Sequence, residues 1–216
     1  MVKPFACILF MLVALHARAE GQLFWEAGFE PAKYAGVAQG RQVVYPGAPS
    51  GGRAAAGALP IALIDSGVAL RHPQLAGYVA EAADFTGEGP EDFIGHGTAL
   101  GLIAIFGNND NQFSLLSAKV ADRQGRVREQ DVIAAIDWAV KRGARVVNLS
   151  LGFRGVKSEY RALCDTIRFH WNVLFFASAG NFPRPTEVYP ANCRLWNLHI
   201  TWTDPRTPRK DELVLE

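Results

Sequence analysis

The sequence predicts an α/β fold, a parallel sheet with helices packed on both of its faces. Short continuous apolar runs recur at 61–64, 114–120, 145–149, 173–177 and 198–202, the texture of strands buried on both sides. Helical patterns fill the intervals between them. The polar residues with chemical potential also collect just after these runs, at Asp65, at Asn148 to Gly152 and at Ser178 to Asn181. An open α/β sheet keeps its ligand site at the carboxyl ends of its strands, so the pattern places one site along one rim.

Each element has a local reason. Ile61-Ala62-Leu63-Ile64 is the first buried strand and ends at Asp65. His96-Gly97-Thr98 opens a short apolar helix, with the histidine backbone at its N-terminus. Val132, Ile133, Ile136, Ala139 and Val140 recur at helical spacing, with Glu129 and Asp131 near the start and Lys141, Arg142 and Gly143 at the end, as dipole and C-cap preferences require. Tyr160, Leu163, Cys164 and Ile167 trace a second apolar face, for which Ser158 is the expected N-cap. Strands alternating with helices imply right-handed crossovers.

The ends of the chain read differently. Lys3, an apolar run from Phe5 to Leu15 and the small-x-small pattern Ala17-Arg18-Ala19 make residues 1–19 a secretory signal peptide, and a run of about 11 residues is too short to span a bilayer. The expected location is secreted or periplasmic, with no membrane contact after cleavage. Residues 20–58 form an irregular leader with one short strand expected at 42–45. Residues 59–203 form the folded domain, and 204–216 a polar tail. A formal charge of +1 excludes a nucleic-acid binder that works through a basic surface. Cleavage after Ala19 removes Cys7 and leaves Cys164 and Cys193. An even pair in an exported chain points to a disulfide, with two buried thiols as the alternative.

The candidate chemistry follows from the rim residues. Asp65 is either a turn residue or the acceptor that fixes the tautomer of His96. His96 is either a helix-cap histidine or a general base acting on a hydroxyl through Nε2. Asn181 is either a turn residue or an amide donor to an oxyanion. Ser150, Leu151 and Gly152 continue a strand into an edge able to pair with an extended peptide and leave room for a pocket. His72, His170 and His199 lack metal-ligand spacing and read as structural or surface residues.

Taken together the motifs resemble those of subtilases, the subtilisin-type serine endopeptidases. Ile64-Asp65-Ser66-Gly67-Val68 with His72-Pro73-Gln74-Leu75 resembles the family's Asp motif, and His96-Gly97-Thr98 its His motif. Asn148-Leu149-Ser150-Leu151-Gly152 is similar to the substrate-strand motif, and Ala179-Gly180-Asn181 to the oxyanion motif. Tyr189-Pro190-Ala191-Asn192-Cys193 resembles the segment that follows in bacterial secreted members, where a Cys on the preceding helix is often the disulfide partner. The resemblance runs from Leu59 to Thr203 and implies a polypeptide substrate, a subtilisin-like sheet and an Asp–His–Ser triad with Asp65 and His96 in the first two places.

The departures set the remaining expectations. The family's nucleophile lies in Gly-Thr-Ser-x-Ala, about 65 residues beyond the oxyanion Asn, which here falls past Glu216. No Gly-Thr-Ser occurs in the sequence, and Ser66, Ser150 and Ser178 lie inside the other motifs. The fold is therefore expected to be truncated at the C-terminus and inactive as it stands, with a complementing C-terminal chain left open. The alternative is a non-catalytic, peptide-binding relic using the Ser150–Gly152 edge. A nucleotide-binding domain is excluded because no Gly-x-Gly-x-x-Gly follows the first strand. No cofactor is expected. Asn108, Asn109 and Asp110 offer oxygen ligands for one calcium ion, although solvated loop residues are the favoured reading.

Overall fold

The computed structural model describes residues 52–106, 112–179 and 187–201, together with the backbone of 15–17 and 23–25. Its centre is a parallel sheet of six strands: β3 (Leu59–Asp65), β4 (Val79–Asp84), β5 (Phe113–Lys119), β6 (Val146–Leu149), β8 (Leu174–Ser178) and β10 (Leu198–Thr201). They lie in the order β10-β8-β6-β3-β5-β4, and every neighbouring pair is parallel. From β3 the chain runs to the edge strand β4, returns to β5 beside β3, then passes β3 and builds outward through β6, β8 and β10. β3 thus lies inside the sheet between β5 and β6, and its carboxyl end carries Asp65.

Alternation along β3 divides the core. Ala62 and Ile64 join a cluster covered by α2 (Glu129–Lys141) and α3 (Arg161–Phe169), while Ile61 and Leu63 join one covered by α1 (His96–Phe106). The predicted helices on both faces are present. α2 buries Val132, Ala135, Ile136 and Ala139 and ends as its sequence foretells. Gly143 takes a φ of 90°, and the amides of Gly143 and Ala144 return to the carbonyls of Val140 and Ala139.

Ser158 requires correction. α3 begins at Arg161 with Tyr160 in the capping position and no side-chain cap, so Ser158 lies in the preceding turn. Tyr160 is instead recruited to packing. Its ring stacks between Phe153 and Tyr189, with centroids 5.3 Å away on either side, and its hydroxyl donates to the Arg154 carbonyl at 2.9 Å.

A smaller sheet stands beside the main one. β7 (Leu151–Arg154) pairs antiparallel with β9 (Val188–Tyr189) on one side and parallel with β1 (Leu15–Ala17) on the other; β1 pairs in turn with β2 (Leu23–Trp25). Cys164 of α3 and Cys193, in the turn after β9, form a disulfide with a Cα–Cα distance of 5.4 Å. The strand expected at 42–45 lies outside the described residues. No described helix is long and apolar enough to cross a membrane.

Candidate active site

The site begins where β3 ends. His96 Nδ1–H donates to Asp65 Oδ1 at 2.7 Å, and the two side chains are 1% and 2% exposed. The same carboxylate oxygen accepts the Ser66 amide at 2.7 Å. An ionised carboxylate only accepts, so this contact fixes the proton on Nδ1 and makes Nε2 the basic nitrogen of the ring. Ser66 Oγ accepts the Gly97 amide at 2.9 Å, which ties the loop after β3 to the first turn of α1. The Asp65 carbonyl accepts the amides of Val120 and Ala121 at 2.8 and 3.2 Å, fixing the loop from its other side.

The neighbouring strand brings the predicted substrate motif to the same rim. Asn148, Leu149 and Ser150 follow one another at the end of β6, and Asn148 Nδ2 donates to Ser150 Oγ at 2.8 Å. Both polar side chains are buried. Leu151 and Gly152 pair in parallel with Leu15 and His16, and β9 pairs farther along the strand, at Phe153 and Arg154. The partner along one side, Leu15–Ala17, belongs to the segment expected to leave with the signal peptide. A Cβ on Gly152 would lie 2.4 Å from Val188 Cγ1. Asn181 and the loop of Asn108, Asn109 and Asp110 lie outside the described residues. Among the described residues no group of three His, Cys, Asp or Glu side chains could hold a metal ion.

The other histidines have structural partners. His72 is buried and accepts the Gln74 amide through Nδ1 at 3.3 Å, and burial lowers its pKa. His170 Nε2 meets Asp137 Oδ1 at 2.7 Å, and His199 stacks on Phe176.

Sequence reasoning missed two charged residues at the site. Asp92 is 1% exposed, and the one available hint was an acid shortly before a helix start. Lys119 is 0% exposed and ends β5, where its hint was a lone cation in an apolar strand. Its Nζ donates to the Ser66 carbonyl at 3.3 Å and stands 3.9 Å from Glu88 Oε2, with the Phe93 ring 5.0 Å away. Burial pulls the Lys119 pKa below its ordinary value, and the nearby charges of Asp92, Glu88 and Asp84 only partly offset this.

A stability prediction follows for Lys119. A lysine with a depressed folded pKa binds fewer protons folded than unfolded, so its contribution to stability rises with pH through the window between the depressed value and 10.5. The stability difference between the unmodified chain and Lys119→Met should therefore shift in favour of the unmodified chain as pH rises through that window. Urea unfolding of both at several alkaline pH values reads it. A difference that is flat or falls with pH would refute it.

Comparison with known proteins agrees with this geometry. Residues 57–202 match the Peptidase_S8 subtilase family. The chain is 34% identical to thermitase of Thermoactinomyces vulgaris over 143 residues, covering 61% of this chain and 50% of that one. It is 33% identical to a thermophilic serine proteinase of Bacillus sp. (strain AK1) over 144 residues, covering 61% of this chain and 35% of the relative. The fold superposes on the crystal structure of a lanthipeptide protease with a TM-score of 0.53 at 26% identity, covering 66% of this chain and 47% of the other. A parallel sheet with a buried Asp–His pair at its carboxyl rim is the framework of a subtilisin-like serine protease. The chain belongs to the subtilase family. It spans half or less of the length of these relatives.

Proposed function

We propose that this chain carries the acid–base part of a subtilisin-type serine endopeptidase acting on polypeptides outside the cytoplasm. The observation that carries the proposal is the buried 2.7 Å contact between His96 Nδ1 and Asp65 Oδ1. In this reading His96 Nε2 takes the proton of a serine hydroxyl as that oxygen attacks the scissile carbonyl, then returns it to the leaving amine. Asp65 holds the tautomer and stabilises the imidazolium. Asn181 donates its side-chain amide to the tetrahedral oxyanion, a contribution of about 3–4 kcal/mol for such a donor. Ser150, Leu151 and Gly152 supply the backbone along which the peptide lies. The attacking serine belongs to a Gly-Thr-Ser-x-Ala segment that the 216 residues do not contain.

Two serines at this rim already serve other bonds. Ser66 Oγ receives the Gly97 amide, and Ser150 Oγ receives Asn148 Nδ2. The purified chain is therefore expected to hydrolyse no peptide substrate above background and to resist a fluorophosphonate. Joining or adding a subtilase C-terminal segment with Gly-Thr-Ser-x-Ala should create hydrolysis that falls by about 10⁶-fold on His96→Ala. Labelling of Ser66, Ser150 or Ser178 in the chain alone would show that the nucleophile is misplaced here. A second reading, a peptide-binding relic, draws support from the pairing of β7 with an extended segment at Leu15–Ala17. Under that reading the completed chain stays inactive while the 216-residue chain binds extended peptides.

A further inference from the structure

The catalytic pair leaves unused a buried carboxylate that accepts four hydrogen bonds. Asp92 lies before α1, is 1% exposed, and meets a donor with every lone-pair direction of its side chain. Oδ1 accepts the amides of Ile94 at 2.9 Å and Gly95 at 2.8 Å. Oδ2 accepts the Thr98 amide at 2.9 Å and the Thr98 hydroxyl at 2.6 Å. The bonds therefore fall on both sides of His96 in the sequence, two before it and two after. They close the turn that presents the imidazole.

Two further contacts carry that clamp to the aspartate loop. With its hydroxyl hydrogen directed at Asp92, Thr98 Oγ1 accepts the Ala69 amide at 2.8 Å, and the Asp92 amide donates to the Val68 carbonyl at 3.4 Å. Ala69 and Val68 follow directly on Asp65-Ser66-Gly67. The turn holding the ring and the loop holding its acceptor are thus both bonded to the Asp92–Thr98 pair, independently of the ring–carboxylate contact. Lys119, donating to the Ser66 carbonyl, places a positive charge near this carboxylate.

We propose that Asp92 is a positioning residue for the catalytic pair: acting through Thr98 and the amides flanking His96, it delivers the imidazole to Asp65 before a substrate arrives. The inference rests on the endopeptidase reading and deepens it. Only a carboxylate satisfies the arrangement. Asparagine has the same shape but turns an NH2 group toward one pair of donors, leaving two buried donors facing a third. Positioning at this precision matters because a displacement of about 1 Å in a reacting group costs about 10²-fold in rate.

The test needs no hydrolysis and uses the full chain. Proton NMR of the unmodified protein should show the strongly deshielded Hδ1 signal of His96 bonded to Asp65, identified by its loss in Asp65→Ala. Asp92→Asn and Thr98→Val should broaden or abolish the signal, while Thr98→Ser, which keeps the hydroxyl, retains it. Persistence of the signal in folded Asp92→Asn overturns the positioning role and leaves the endopeptidase reading intact. Absence of the signal from the unmodified chain overturns both. If Asp92→Asn does not fold, the Thr98 pair decides: a signal unchanged in Thr98→Val overturns the proposal, and its loss there with retention in Thr98→Ser supports it.

Discussion

Converting Cys164 and Cys193 to serine should lower the stability of the folded chain by roughly 3–4 kcal/mol, the chain-entropy value for a loop of about 30 residues. The bridge spans a sequence separation of 29 residues and joins α3 to the turn after β9. Within that loop lie β8, at the heart of the sheet's second half, and the segment carrying Asn181. Opening the bridge therefore frees a length of chain that includes both a central strand and the proposed oxyanion donor. The competing restraint is the stack of Phe153, Tyr160 and Tyr189, which holds β9 from the other side. Aromatic pairs contribute about 0.5–1.5 kcal/mol each beyond their burial, so the stack alone is the weaker of the two. Urea unfolding of the oxidised protein against the double serine variant reads the difference. A loss below about 1 kcal/mol would mean that the loop ends are already fixed without the covalent link.

What could be read in advance follows from where each signal resides. The inner strands β3, β5, β6 and β8 are continuous apolar runs because both of their faces are covered, and that leaves an unbroken mark in the sequence. β4 leaves none. Its Val-Ala-Glu-Ala-Ala-Asp lies at the sheet edge with an exposed Glu81, so its apolar content is too thin to stand out. β9 has only two residues and exists through its pairing with β7. Ser158 looked like a cap because local propensity favoured it, but the packing of Tyr160 between two rings decided where α3 begins.

The site divides along the same line. Asp65 and His96 were legible because each sits in a short motif whose glycine and threonine neighbours have backbone duties. Asp92 and Lys119 were not. Nothing periodic distinguishes a buried, fully bonded charge from a solvated one; only the tertiary arrangement of its donors does so. The Ser150–Gly152 segment was legible as a strand, but its neighbour β1, and β9 beside Phe153 and Arg154, are distant in the sequence and carry no mark of that pairing.

Gly97→Ala is expected to damage both the fold and the site more than any other single methyl at this rim. A Cβ on residue 97 would lie 2.0 Å from the Gly67 carbonyl oxygen, 3.2 Å from its carbon and 3.3 Å from Asp65 Cβ. The obstacle is backbone, and that backbone is pinned: Val120 and Ala121 hold the Asp65 carbonyl, and Lys119 holds that of Ser66. Relief therefore requires moving the first turn of α1 away from the loop after β3. That movement stretches the Gly97–Ser66 bond, the Ala69–Thr98 bond and the 2.7 Å contact between His96 and Asp65 together. Overpacking of a rigid interior costs about 3 kcal/mol at its upper end, and the strained or broken bonds move the loss in the same direction. Thermal unfolding should show the destabilisation, and the His96 Hδ1 signal should vanish even where the variant folds. Full stability with that signal intact would mean that the loop and helix separate far more easily than their bonding implies, and the pre-organised pair argued here would lose its physical basis.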